Sequence, residues 1–166
     1  MVYRLARVED LPALAVQRWD FRAEAGEPAS ETLTEFTARF VAFARTGLLS
    51  GQWAYWIAEN SHGEIIAHMA VCTIFGVPRP TRSSDRWGYL TDCFTRAPER
   101  NWGVGTALLA HVRAWARATD LELLLVWPGA DTTAWYERAG FTDAAGVRVL
   151  VLRGFDEPPR EPTGTA

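Results

Sequence analysis

The chain contains no lysine; all 17 of its basic residues are arginine, a bias read here as genomic codon usage rather than function. The absence excludes the nucleotide-binding P-loop, whose GxxxxGK[ST] motif needs a lysine to reach the phosphates. Two cysteines, Cys72 and Cys93, are too few for a disulfide framework. No apolar run reaches the roughly 20 residues of a membrane span, so no membrane partner is expected. The opening MVYRLARVED lacks the apolar core of a signal peptide, and a reduced, cytoplasmic setting is the expectation. The net charge is -3, without the basic field that favours nucleic acid. His62, His68 and His111 show no ligand spacing with one another, so no metal site is expected. They read as turn, strand and solvent-facing helix positions.

What is present is an ordinary globular composition of 166 residues, 48% hydrophobic and 22% charged, which suits one domain with a substantial core. Eight tryptophans and eight phenylalanines are a heavy aromatic load, enough to line a pocket as well as a core. VYRLARV alternates as a strand does. Asp10 reads as a helix cap with Pro12 in the first turn, and the helix runs to about Arg22. Gly26 and Pro28 break it. Ser30 opens a second helix that carries Leu33, Phe36, Phe40, Val41 and Phe43 on one side and ends near Gly47. WAYWIAE and EIIAHMAVCTI are strands paired across the turn NSHG. The connection FGVPRPTRSSDRWG is long and polar, a length often associated with function. YLTDCFT is the next strand.

RNWGVGTALL, residues 100–109, then places two glycines at the mouth of a helix whose apolar stripe is Val104, Leu108, Val112 and Trp115. Helix N-termini offer unpaired amides and a partial positive charge, and Gly103 and Gly105 let backbone approach an anion. An ordinary turn fits this stretch equally well. The dinucleotide fingerprint GxGxxG does not, because position 108 is leucine. LELLLVW reads as a strand buried on both faces, ended by Pro128 and Gly129. Asp131 caps a short helix through Arg138, with Gly140 as its C-terminal signal. VRVLVLR is a last strand, and residues 154–166 have the composition of a disordered tail. The order β-α-α-β-β-β-α-β-α-β describes a mixed α/β domain over residues 1–153.

Two segments together, YLTDCFTRAPERNWGVGTALLAHVRAWA and LELLLVWPGADTTAWYERAGF, resemble the GNAT superfamily of acyl-CoA-dependent N-acetyltransferases. Arg100 to Gly105 fit its [QR]xxGx[GA] signature, and Trp135 to Phe141 fit its later YExxGF segment. The resemblance implies the GNAT fold (α+β), a mixed, mostly antiparallel sheet of about six or seven strands flanked by four helices. It implies direct attack of an amine on the thioester of acetyl-CoA, or another acyl-CoA, in a ternary complex without metal.

It places the pyrophosphate on the loop formed by Arg100, Asn101, Trp102, Gly103, Val104, Gly105 and Thr106. It places pantetheine along Cys93, Phe94 and Thr95, with the Cys93 amide polarising the thioester carbonyl. Tyr136 falls at the position of the general acid, and a phenol suits protonation of a thiolate; packing of the short helix is its other reading. Asp92 is the one carboxylate on a strand where polyamine-acetylating relatives carry an acidic pair, with Thr91 at the other position. It reads as a base, as an anchor for a cationic acceptor, or as a structural carboxylate. Gly129 stands where the family often has a cofactor-holding asparagine. Cys93 reads as a small buried residue rather than a nucleophile.

The acceptor, a small-molecule amine, is expected between the first two helices, the long loop and the fourth strand. Trp19, Phe21, Arg22, Tyr89 and Thr91 are its candidate liners, though core packing also explains the aromatics. Glu24, Glu27 and Glu31 suit either a cationic acceptor or a solvated surface. Protein amines, longer acyl groups and carrier-protein donors are the competing readings. A homodimer, common in the family, stays open.

Overall fold

A computed structural model of the chain describes residues 1–81 and 84–144, which fall into two compact units divided after Val126. The first unit runs β1 (Val2–Leu5), α1 (Leu11–Glu24), α2 (Leu33–Ser50), β2 (Trp53–Glu59), β3 (Ile65–Phe75), β4 (Arg86–Thr95), α3 (Val104–Ala118) and β5 (Leu124–Leu125). The second contains α4 (Thr133–Arg138). Among the described residues, five strands form one mixed sheet in the order β1-β2-β3-β4-β5, antiparallel throughout except for the parallel β4–β5 pair. The α/β class and the element order expected from the sequence are found as far as α4. The expected strand at 147–153 and the tail at 154–166 lie outside the described residues.

The helix boundaries follow local chemistry that differs from the expectation in several places. α2 is capped by Thr32 rather than Ser30. The Thr32 hydroxyl accepts from the Glu35 amide at 3.3 Å, and the Glu35 carboxylate accepts from the Thr32 amide at 2.9 Å, a capping box. The helix also continues past Gly47 to Ser50 and stops at Gly51, whose φ of 72° needs glycine. Gly47 is an interior packing position, since a Cβ there would lie 2.6 Å from the Trp53 ring. At the start of α1, Asp10 precedes the helix but does not cap it with its side chain. Its carboxylate instead receives Arg4 at 2.7 Å and the Arg7 amide at 2.6 Å.

Alternation along β2 divides the core between two faces. Tyr55 and Ile57 join Leu11, Leu14 and Ala44 beneath α1 and α2. Trp56 faces α3, where its ring lies 6.1 Å from that of His111. The stripe on α3 buries Val104, Leu108 and Val112, leaving Trp115 half-buried. With helices over both faces, β3 is buried continuously from Ile65 to Val71.

β5 corrects the sequence reading. A strand buried on both faces was expected over 121–127, yet only Leu124 and Leu125 pair with β4, and Leu123 is exposed. Gly88 explains where the pairing sits, since a Cβ there would meet the Leu124 side chain at 2.5 Å. Beyond Tyr89, β4 continues to Thr95 with no β5 partner among the described residues. The edge of the sheet is open there, just before the loop that leads into α3. The β3–β4 connection is shorter than the sequence suggested, because both strands extend into it. Arg79 ties it down through Asp85 and through Glu122 at 2.7 Å.

Candidate active site

Where the open edge begins, β4 is bulged. Ala70 pairs with Thr91 and His68 with Phe94, so Met69 stands opposite both Asp92 and Cys93. Two residues against one is a β-bulge. Asp92 takes a φ of 51°, a left-handed conformation that aspartate tolerates better than most residues. The bulge takes Asp92 and Cys93 out of the regular ladder and turns the Asp92 side chain inward, where it is 9% exposed.

Two side chains meet that carboxylate. Arg18 from α1 donates to Oδ1 at 2.9 Å, and His68 Nε2 from β3 lies 3.2 Å from Oδ2. Burial opposes ionisation of Asp92, but His68 and then Arg18 outweigh it and hold the carboxyl below its ordinary range. His68 is fully buried. Its Nδ1 is 2.9 Å from Gln17 Oε1, and the Gln17 amide donates in turn to the Ile65 carbonyl. The charge of Asp92 reaches Tyr55, whose phenol is pushed above its ordinary range by burial first and by Asp92 second.

Past the bulge, Phe94 is buried against Phe21 at 5.6 Å, with the Arg100 guanidinium 5.5 Å above its ring. The Thr95 carbonyl accepts from Arg100 Nε at 2.8 Å, and Arg100 also pairs with Glu24. Arg100 therefore clamps β4 to α1. The loop after it contains two left-handed residues, Asn101 with φ 66° and Gly103 with φ 79°. Gly103 is the N-cap of α3 and has no side chain with which to cap that end. A Cβ at Gly103 would meet nothing within 4 Å, so the conformation rather than crowding calls for glycine there. Val104 anchors the first turn in the core, Gly105 and Thr106 follow it, and Trp102 is 80% exposed. Amides at a helix start, aligned with its dipole and approached through left-handed residues, form a fitting cradle for a phosphate group.

The second unit explains the Tyr-Glu-Arg-Ala-Gly-Phe pattern. Gly140 has φ 88°, its amide returns to the Glu137 carbonyl at 2.9 Å, and the Phe141 amide returns to the Tyr136 carbonyl at 3.0 Å. This is a Schellman cap, and the apolar contact that accompanies it is Tyr136 against Phe141, with ring centres 5.3 Å apart. Trp135 packs on the other side at 4.7 Å. Tyr136 is buried. Gly129 precedes the turn 130–132, and its carbonyl accepts from the amide and hydroxyl of Thr132, both at 2.9 Å.

Of the five candidate acceptor residues, Trp19 and Arg22 line a cavity of about 510 Å³ between α1, α2 and the loop joining them, together with Glu27, Glu31, Phe36 and Arg39. The charges in that wall pair as Arg22–Glu27 and Arg39–Glu31. Phe21, Tyr89 and Thr91 are not part of the wall. Phe21 packs on Phe94, while Tyr89 and Thr91 sit in the β3–β4 ladder opposite Cys72 and Ala70. Glu24 lines a second cavity of about 320 Å³ with Asp20, Phe94 and Arg96. No group of acidic, histidine and cysteine side chains among the described residues forms a metal-binding cluster.

Sequence reading missed Arg18, Gln17 and His68. One signal was available for His68, a lone polar residue inside the apolar run IIAHMAV, which must find partners if that run is buried. Nothing in the sequence linked Arg18 to Asp92, 74 positions away.

Residues 14–141 match the model of the Acetyltransferase (GNAT) family. The fold is similar to a predicted acetyltransferase with acetyl-CoA from Clostridium acetobutylicum, with a TM-score of 0.76 and 23% identity over 91% of this chain and 96% of that one. A GCN5-related N-acetyltransferase from Ralstonia eutropha JMP134 aligns with a TM-score of 0.73 and 21% identity, covering 90% of this chain and 97% of the other. Glucosamine-6-phosphate N-acetyltransferase from Arabidopsis thaliana aligns at 0.66 and 13%, covering 92% and 98%. No curated protein matches by sequence. The left-handed loop into α3, the bulged and open β4 and the family match over 14–141 agree, and the chain belongs to the GNAT family of acetyltransferases.

Proposed function

We propose that the chain transfers the acetyl group of acetyl-CoA to a primary amine of a small molecule, by direct attack within a ternary complex. The observation that carries this reading is the start of α3, whose N-cap is Gly103 and which is entered through left-handed Asn101 and Gly103, beside a β4 edge that has no strand partner beyond Tyr89 among the described residues. Acetyl-CoA supplies the activated acyl group and a thiolate leaving group. The amides of Asn101, Gly103, Gly105 and Thr106 suit its pyrophosphate, and the backbone of Cys93, Phe94 and Thr95 suits its pantetheine arm. At the bulge, the Cys93 amide is the candidate donor to the oxygen that gains charge as the amine attacks. A single aimed donor of this kind is worth about 3 kcal/mol in other acyl-transfer sites.

Asp92 handles the acceptor's proton or its charge, and Tyr136 returns a proton to the departing sulfur. The support for Asp92 is its position on the bulge, nearly buried beside Arg18 and His68, which hold its carboxyl below the ordinary range. The cavity beside Trp19 and Phe36, with paired charges of both signs in its wall, supports a small polar acceptor. A free-thiol assay with acetyl-CoA over a panel of small amines and peptides tests the reading. Thiol release that depends on a small amine supports it. Release with peptides alone, or only with a longer acyl-CoA or an acylated carrier protein, moves the assignment to those readings.

A further inference from the structure

Hydrogen positions around His68 follow from the direction of its neighbours' hydrogen bonds. The Gln17 amide nitrogen donates to the Ile65 carbonyl, which leaves Gln17 Oε1 facing His68 Nδ1 at 2.9 Å. An acceptor there requires a hydrogen on Nδ1. The other ring nitrogen, Nε2, is buried and lies 3.2 Å from Asp92 Oδ2, off the alignment of a made hydrogen bond and with no other partner. With Nδ1 protonated and Asp92 ionised, a neutral ring would point a lone pair at a carboxylate. Two acceptors facing each other in a buried space are strongly unfavourable. One proton between Nε2 and Oδ2 removes the conflict.

We infer that His68 and Asp92 share one proton, that the pair rather than Asp92 alone is the titrating unit of the site, and that His68 acts on the reaction as a positioning residue through Asp92. The groups facing the pair are Arg18 from α1, Tyr55 from β2 and, beyond Tyr55, Cys72 of β3. Arg18 favours the carboxylate, as does the lowered range of Asp92, so the shared proton rests on Nε2. Gln17 fixes the tautomer by fixing Nδ1. Proton balance then gives the order of events. At rest the pair holds its proton and has no free capacity. Once that proton passes to solvent through the exposed part of Asp92, Oδ2 and His68 Nε2 face each other bare, and their repulsion makes the pair a strong base. The pair then takes the proton released by the acceptor nitrogen as the new C–N bond forms. A histidine buried beneath the bulge is thus built into the acid limb of the rate profile.

The inference rests on the reading of Asp92 as the group that handles the acceptor's proton, and two measurements separate the two ideas. The first is nitrogen-15 NMR of histidine-labelled protein, which reads the proton count at His68 without any turnover. Both ring nitrogens protonated at the low-pH plateau, with Nε2 losing its proton first, is the expected result. A bare Nε2 throughout the range in which Asp92 is ionised overturns the inference. The second is the pH dependence of kcat/KM in His68→Gln, with Gln17→Leu as the alternative should that variant fail to fold. In His68→Gln the acid limb should move toward lower pH, with KM for acetyl-CoA within twofold. In Gln17→Leu, where the tautomer is no longer fixed, it should move down by a smaller amount. An unmoved limb in a folded variant overturns the role of His68. Unchanged turnover in Asp92→Asn would instead overturn the reading of Asp92 and leave the NMR result standing.

Discussion

Replacing Arg18 by methionine removes the one guanidinium on Asp92 while keeping an unbranched stem over the Phe21 ring, which Arg18 covers at 5.5 Å. The structure brackets the cost. A fully exposed ion pair is worth about 0.2–1 kcal/mol, and breaking a fully buried one costs about 3–5 kcal/mol. Here the carboxylate is 9% exposed and the arginine side chain 29%, so the pair lies between these limits. The expected loss is about 2 kcal/mol at pH 7, or roughly 4–8 °C in Tm for a chain of this size. Asp92 ionises below the ordinary carboxylate range in the folded state. Its contribution is therefore complete above about pH 4 and disappears as pH falls through the lower, native value. The difference between wild type and variant should shrink over that same acid window.

Urea unfolding of wild type, Arg18→Met, Asp92→Asn and the double variant closes a thermodynamic cycle. Asp92→Asn strands a partly exposed arginine and also takes the carboxylate away from buried His68 Nε2, so its cost is not that of the ion pair alone and the coupling is read from the double variant. The double variant should be more stable than the sum of the singles implies, by about 1.5 kcal/mol or more. Additivity within about 0.5 kcal/mol, or a difference that persists unchanged at pH 3, would refute the argument that this contact holds the buried charge.

Tyr136→Phe keeps the ring contacts with Trp135 and Phe141, and kcat should fall by about a hundredfold. Acetyl-CoA affinity should change little, and an unchanged kcat removes Tyr136 as the acid. Gly88→Ala should cost about 1–3 kcal/mol in urea, because its Cβ meets Leu124 at 2.5 Å and Val71 at 2.9 Å. A neutral result would mean that β5 is not held against β4 at this point. Thr32→Ala should cost about 1 kcal/mol by removing half of the capping box of α2, and no loss would return the cap to another residue.

Local signals carried most of the fold. Pro12, the NSHG turn, the α3 stripe and Gly140 each act over a few residues, and each element they mark was found where they put it. The misplaced boundaries have the same physical origin. Gly47 looks like a stop signal in sequence, yet it is glycine because the Trp53 ring lies against it. LELLLVW has the hydrophobicity of a buried strand, but pairing depends on what lies beside it, and β4 admits it closely at Gly88. The loop into α3 was legible because its chemistry is backbone chemistry, written in glycine positions. The environment of Asp92 was not, because Arg18, Gln17 and His68 reach it from α1 and β3 through long-range packing. Its charge partners exist only once the sheet and helix have met.

Calorimetric titration reads the hold of the α3 start on the pyrophosphate of acetyl-CoA without any turnover. Gly103→Val places a β-branched residue at φ 79°, which distorts the cradle without crowding it. One saturable site for acetyl-CoA is expected in the wild-type protein, with an affinity at least tenfold weaker in a folded Gly103→Val variant. Equal affinity in the two proteins, or no saturable binding to the wild type, would contradict that hold.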